Sequence, residues 1–181
     1  VPTNSSPEAL SQNENRQGGA LSLSVAKFGG TSVADFAAMQ RCVYIIKKDP
    51  SNQLVVVSAS AGVTNNLVRL SQANIDESEQ SQILADIKTI QNNILTNITN
   101  EKEITAQIEG LLAELAAQAK IQSLNYSAKT ADEILSFGER MSSLIFAEVL
   151  RMNDLPGLCF DVRQVMKTNS LYGQAIVDIE Q

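Results

Sequence analysis

The chain has 181 residues, 44% of them apolar, with 14 Lys and Arg against 20 Asp and Glu for a net charge of -6. That is enough apolar material for one domain with a sizeable core, and the acidic balance argues against a surface built for nucleic acid or an anionic membrane. Histidine is absent, which removes Ser-His and Cys-His nucleophiles and histidine-based zinc sites, so any chemistry must rest on lysine, carboxylates, hydroxyls and backbone amides.

Residues 1–20 are rich in Ser, Asn, Gln, Pro and Gly and lack periodicity, so they read as a flexible leader or a cloning remnant. The first residue is Val and not Met, which suits a processed or cut product. With a single Arg and no apolar core, this leader is neither a secretory signal nor a transit peptide. No run of about 18 apolar residues occurs anywhere. A cytoplasmic protein is the expectation. Cys42 and Cys159 are far apart and each sits among apolar neighbours, which predicts two buried free thiols in preference to a disulfide or a metal pair.

Order is expected to begin with "LSLSVAKF", where Leu21, Leu23 and Val25 alternate with small polar residues as in a strand. After Gly29 and Gly30, the spacing of Phe36, Met39, Val43 and Ile46 predicts a helix from about Ser32 to Lys48, capped by Thr31 or Ser32 and ended by Asp49-Pro50. In "QLVVVSASAG" the run Leu54 to Val57 predicts a strand buried on both faces. Strand, helix and strand in this order make a βαβ unit and imply a parallel sheet.

A short helix is expected from Asn65 to about Ala73, with Thr64 as its cap. Two longer helices follow, one lined by Ile83, Ile87, Ile90, Ile94 and Ile98, the next by Ile104, Ile108, Leu111 and Leu115; together they suggest a helical hairpin. Thr130 and Glu133 offer a capping box for a helix to about Met152, with Ile134, Phe137, Met141, Leu144 and Ile145 as its buried stripe. Asp154 to Gly157 should then turn the chain into a third strand, "LCFDV".

Two loops could carry chemistry. Gly29 and Gly30 can bring backbone N–H groups close to an anion because no side chain blocks the approach, and Lys27 would add a point charge. The pattern is neither the Walker motif nor the dinucleotide fingerprint. An ordinary strand-to-helix turn with a solvent-facing lysine is the competing reading. The loop "SASAGVTN" leaves the second strand at the same carboxyl edge, so Ser58, Ser60 and Thr64 could meet the glycine turn in one crevice. Glu139 falls opposite Met141 on its helix, on a face shared with Asp132, Ser136 and Ser143 that meets either water or a cleft.

The blocks "KFGGTSVADF", "LVVVSASAGVTNNL", "GERMSSLIFAEVL" and "FDVRQVMKTN", in this order, closely resemble the amino-terminal part of aspartate kinases, nearest to the lysine-sensitive monofunctional type, over about Val25 to Gly173. The resemblance implies an α/β amino-acid kinase (carbamate kinase-like) fold, a largely parallel sheet sandwiched by helices, with residues 21–181 as the amino-terminal portion of the catalytic domain. It also implies transfer of the ATP γ-phosphoryl group, with Mg2+ bound through the nucleotide, to the side-chain carboxylate of L-aspartate, giving 4-phospho-L-aspartate on the way to lysine, threonine and methionine. Lys27, Phe28, Gly29 and Gly30 match the ATP-contacting segment, with Lys27 catalytic. Thr64 and Glu139 match aspartate-contacting positions, Ser58 lies near the reacting groups, and no residue is matched to a metal.

The family pattern continues beyond these blocks into a glycine-rich segment and regulatory domains that the sequence does not contain. The 181-residue chain is therefore expected to be inactive alone, with an exposed half-sheet edge that leaves self-association open to it, while the full-length enzyme is expected to be a homo-oligomer. Two other readings use the same scaffold: the amino end of a bifunctional aspartate kinase-homoserine dehydrogenase, and a non-catalytic binding or assembly module.

Overall fold

Strand β1 (Ser24–Phe28) and strand β2 (Asn52–Val57) pair in parallel in the computed structural model, which describes residues 23–99 and 101–179. Val25 lies opposite Leu54 and Phe28 opposite Val57. A short 3-10 turn at Gly30–Val33 and helix α1 (Phe36–Lys48) connect the strands, so the expected βαβ unit forms. Helix α2 (Val63–Leu70) follows β2. Then come α3 (Glu77–Leu95) and α4 (Glu101–Leu124), the expected hairpin, and α5 (Ala128–Arg151).

The core forms where the helical stripes converge. Ile87 and Ile94 of α3, Ile108 and Leu115 of α4, and Ile134, Met141 and Ile145 of α5 are buried in one cluster with Met39 and Val43 of α1. Three- and four-residue spacing puts each set on one face of its helix, and burial of that face removes apolar surface from water. Phe28, Val55 and Val57 pack against this cluster, and the Phe28 ring lies 6.1 Å from that of Phe146 on α5.

The opposite face of the sheet is different. Leu54 is 51% and Val56 45% exposed, because no element among the described residues packs there. The expectation that β2 is buried on both faces is therefore incorrect for this chain, and helices cover the described sheet on one side only. Leu21 and residues 1–20 lie outside the described residues.

Several helix starts differ from expectation, each for a local reason. Asp35, not Thr31 or Ser32, caps α1: its Oδ1 accepts from the Ala38 N–H at 2.7 Å, while Thr31 and Ser32 are used in the 3-10 turn. Gly62 adopts a left-handed φ of 86° and starts α2 at once, so Thr64 lies inside the first turn and is not the cap. Leu70 ends that helix ahead of Ala73. Ser127, not Thr130, caps α5, its Oγ accepting from the Thr130 N–H at 3.4 Å. Glu133 meets Lys129 at 3.9 Å and does not close a capping box.

Residues 158–162 form no strand. Beyond α5 the backbone pairing among described residues is a single antiparallel bridge, Thr168 with Val177. Cys42 and Cys159 are both free as expected, but Cys159 is only half-buried. Among the described residues no helix is long and apolar enough to cross a membrane.

Candidate functional site

The glycine turn leaves β1 with the Lys27 side chain exposed and engaged in neither a hydrogen bond nor an ion pair among the described residues. Alternation along the strand places Lys27 on the uncovered face, beside Val56, while Phe28 faces α5. The two glycines have different constraints. A Cβ on Gly29 would meet open space, whereas one on Gly30 would stand 2.8 Å from the Ala59 carbonyl oxygen. Gly30 thus lets the β1 turn touch the loop that follows β2, and Gly29 leaves the approach to the turn clear.

The second loop is fixed from three sides. The Ser58 N–H donates to the Phe28 carbonyl at 3.0 Å, continuing the sheet pairing, and the Ser142 hydroxyl of α5 donates to the Ser58 carbonyl at 2.8 Å. The Ala59 N–H donates to Oε1 of Glu139 at 3.2 Å. The Ser60 hydroxyl is enclosed and makes no hydrogen bond.

Gly138 makes this approach possible. A Cβ there would stand 2.6 Å from the Ala59 Cβ and 3.0 Å from Leu67, so the absence of a side chain lets α5 close onto the loop and delivers Glu139 to it. Glycine is a poor helix former. Its place in the middle of α5 is a signal in the sequence that the periodicity argument did not use.

Glu139 does face a cleft. With Ser136, Arg140 and Ser143 of α5, and with Leu111 of α4, it lines a cavity of about 490 Å³ whose outer wall is residues 159–164. Arg163 binds Asp161 in that wall, and this hydrogen bond holds the Asp161 carboxyl down to about 2. Arg140 donates to Glu114 of α4 at 3.0 Å and stacks over the Phe137 ring at 4.4 Å. Burial, reinforced by the Asp161 charge, raises the Cys159 thiol above its ordinary range, which keeps it protonated and a poor nucleophile.

The structure therefore brings Gly30, Ser58 and Glu139 to one point, Ala59. It does not bring Lys27 and Thr64 into hydrogen-bond contact with them: Lys27 leaves from the uncovered sheet face, and Thr64 is exposed on the first turn of α2. Arg140, Ser142, Asp161 and Arg163 were not singled out from sequence. Their partners lie on other elements or in a segment read as a strand.

Residues 22–178 match the amino acid kinase family. The chain is 44% identical over 155 residues to lysine-sensitive aspartokinase 3 of Escherichia coli, a match covering 86% of the chain and 34% of that relative. It is 35% identical over 108 residues to "Putative inactive aspartokinase 3" of Haemophilus influenzae, of which it covers 77%. Among solved structures, E. coli aspartokinase III in complex with aspartate and ADP superposes with a TM-score of 0.84 at 44% identity, covering 86% of this chain and 35% of that one. The chain spans about a third of the length of the E. coli enzyme it matches. With the match running from the first described strand to the segment beyond α5, and the fold superposing over the same span, the chain belongs to the amino acid kinase family.

Proposed function

We propose that the chain is the nucleotide-turn and substrate-helix part of an aspartate kinase. The carrying observation is the junction at Ala59, where the glycine turn touches the carbonyl and Glu139 accepts from the N–H. That junction ties a turn suited to phosphate to a carboxylate suited to an amino group. The E. coli enzyme that superposes on this chain was solved with aspartate and ADP.

The roles follow from charge and geometry. Gly29 leaves room for a phosphate chain to approach the backbone, and the Lys27 ammonium, which no carboxylate neutralises among the described residues, complements a transferring phosphoryl group. Phe28 anchors the turn through its contact with Phe146. Glu139 attracts the α-ammonium of aspartate, with Ser58 and Thr64 as neighbouring polar groups on the same sheet edge. A side-chain carboxylate oxygen of aspartate then bonds to the γ-phosphorus as the bond from that phosphorus to the β,γ-bridging oxygen breaks, releasing ADP. Positioning and charge stabilisation suffice for this, with no covalent enzyme intermediate. Mg2+ would be carried by the nucleotide phosphates, which supply the oxygen ligands that this cation takes.

The same reading makes the full-length enzyme a cytoplasmic homo-oligomer without nucleic-acid or membrane partners. The free thiols of Cys42 and Cys159 suit a reducing compartment. Calorimetric titration of the chain with Mg-ATP and with L-aspartate tests the assignment. The expected result is that Lys27→Ala removes the ATP heat and Glu139→Ala removes the aspartate heat. Heats unchanged by both substitutions, or no heat from the unsubstituted chain, would overturn it.

A further inference from the structure

One peptide group of the loop after β2 is held at both ends by α5. The Ser142 hydroxyl donates to the Ser58 carbonyl at 2.8 Å, and Oε1 of Glu139 accepts from the Ala59 N–H at 3.2 Å. That carbonyl and that N–H belong to the same peptide bond, which is trans, so they point in opposite directions. Residues three apart on a helix lie about 5–6 Å from each other on one face, a spacing that lets Glu139 and Ser142 reach the two ends of a single peptide group. Gly138 brings the helix near enough for both, since a Cβ there would stand 2.6 Å from the Ala59 Cβ.

A buried helical serine commonly returns its hydroxyl to its own helix. Ser142, 0% exposed, has that option, because its Oγ stands 3.2 Å from the Glu139 carbonyl. A hydroxyl carries one proton, and the shorter contact, across to Ser58 on another element, is the better hydrogen bond. The Ser58 N–H, on the preceding peptide, is bound separately to the Phe28 carbonyl of β1 at 3.0 Å. The 58–59 peptide is thus the first one past the sheet pairing, and α5 sets how it is turned. Glu139 in turn lines the cavity of about 490 Å³.

We propose that Ser142 is a positioning residue for Glu139: by fixing the plane of the 58–59 peptide it aims the Ala59 N–H at the Glu139 carboxylate and holds that carboxylate in one conformation at the cavity. A carboxylate already held loses less side-chain freedom when a ligand binds, so Ser142 contributes to affinity from a buried position. That the ligand is an amino acid with its ammonium on Glu139 rests on the proposed function; the clamp on the peptide does not.

Amide hydrogen exchange of the unliganded 181-residue chain, resolved by NMR, tests the clamp at two neighbouring amides that both make hydrogen bonds, Ser58 to Phe28 and Ala59 to Glu139. In Ser142→Ala the Ala59 amide is expected to exchange about three- to tenfold faster, the equivalent of one lost hydrogen bond, with the Ser58 amide within about twofold of its original rate. Ser142→Thr, which keeps a hydroxyl, should recover most of the protection. An Ala59 amide unchanged by Ser142→Ala would overturn the proposal, and so would equal acceleration of Ser58 and Ala59, which is general loosening of the loop. Calorimetry reads the consequence: Ser142→Ala should weaken L-aspartate binding about three- to tenfold and leave Mg-ATP binding within about twofold. Aspartate affinity that stays the same while the Ala59 amide is freed would overturn the positioning role. Absence of aspartate heat from the unsubstituted chain would instead overturn the proposed function, and the exchange comparison would still decide the clamp.

Discussion

Gly29 and Gly30 look equivalent in the sequence but are constrained by different things. Alanine at 30 must displace the Ala59 carbonyl, which should lower stability by about 1–3 kcal/mol, as overpacking does. Alanine at 29 meets no neighbour at an ordinary φ of -76°, so the unfolding midpoint should hardly move. Its methyl would nevertheless occupy the clear approach to the turn, so under the proposed function ATP binding should weaken. Thermal denaturation and calorimetry on both variants separate packing from binding; equal stability losses would contradict the contact with Ala59. The diglycine was legible as a turn, because glycine pairs mark turns whatever surrounds them. That Gly30 alone is required for packing was not legible, since its partner lies on the loop after the next strand. Asp161 gives a pH signature at the same scale. Its carboxyl falls from an ordinary 3.8 to about 2 in the folded chain, so its contribution to stability is present above 3.8 and is lost as pH falls toward 2. Asp161→Asn should remove that part of the acid dependence in pH-resolved thermal melts, leaving curves that converge with the unsubstituted protein below pH 2.

At the scale of elements, the helical stripes were legible and the helix starts were not. Ile83, Ile87 and Ile94 recur at a helical period and are buried together, because the period alone decides which residues share a face. A cap is decided by competition among nearby acceptors. Thr31, Ser32 and Asp35 all precede α1, and the carboxylate is the one that reaches an unpaired N–H. Asp35→Ala should therefore lower the urea-unfolding free energy by about 1 kcal/mol, while Thr31→Ala should leave it within about 0.5 kcal/mol. The reverse ranking would show that the 3-10 turn, and not Asp35, starts the helix. The segment Leu158 to Val162 failed for another reason. Its apolar alternation is that of a strand, but a strand exists only where a neighbour offers free N–H and C=O groups, and among the described residues the segment lies against α4 and α5 and pairs with neither β1 nor β2.

On the scale of the whole molecule, the core is one-sided. Helices α1 to α5 close around one face of β1 and β2, and the other face carries Val25 paired with Leu54 and Lys27 paired with Val56. Two stability regimes follow from this. Leu115, fully buried between the helices, should cost about 2–5 kcal/mol as alanine, because its removal leaves a cavity that rigid neighbours cannot fill. Leu54, half in solvent and facing nothing, should cost well under half as much by the same denaturant titration. The exposed pair of strands is also a surface for self-pairing: among the described residues no third strand pairs with either edge, the neighbouring side chains are apolar, and Lys27 is the charge that interrupts them. The chain should therefore self-associate with rising concentration in sedimentation velocity despite its net charge of -6. Leu54→Lys with Val56→Lys should return it to a monomer with the same helical circular dichroism and the same melting temperature, since neither residue supports the core. A chain that stays monomeric up to its solubility limit would show that this face does not self-pair. A double variant that still associates would place the contact elsewhere, on the outward side chains Leu158 and Phe160 of the cavity wall.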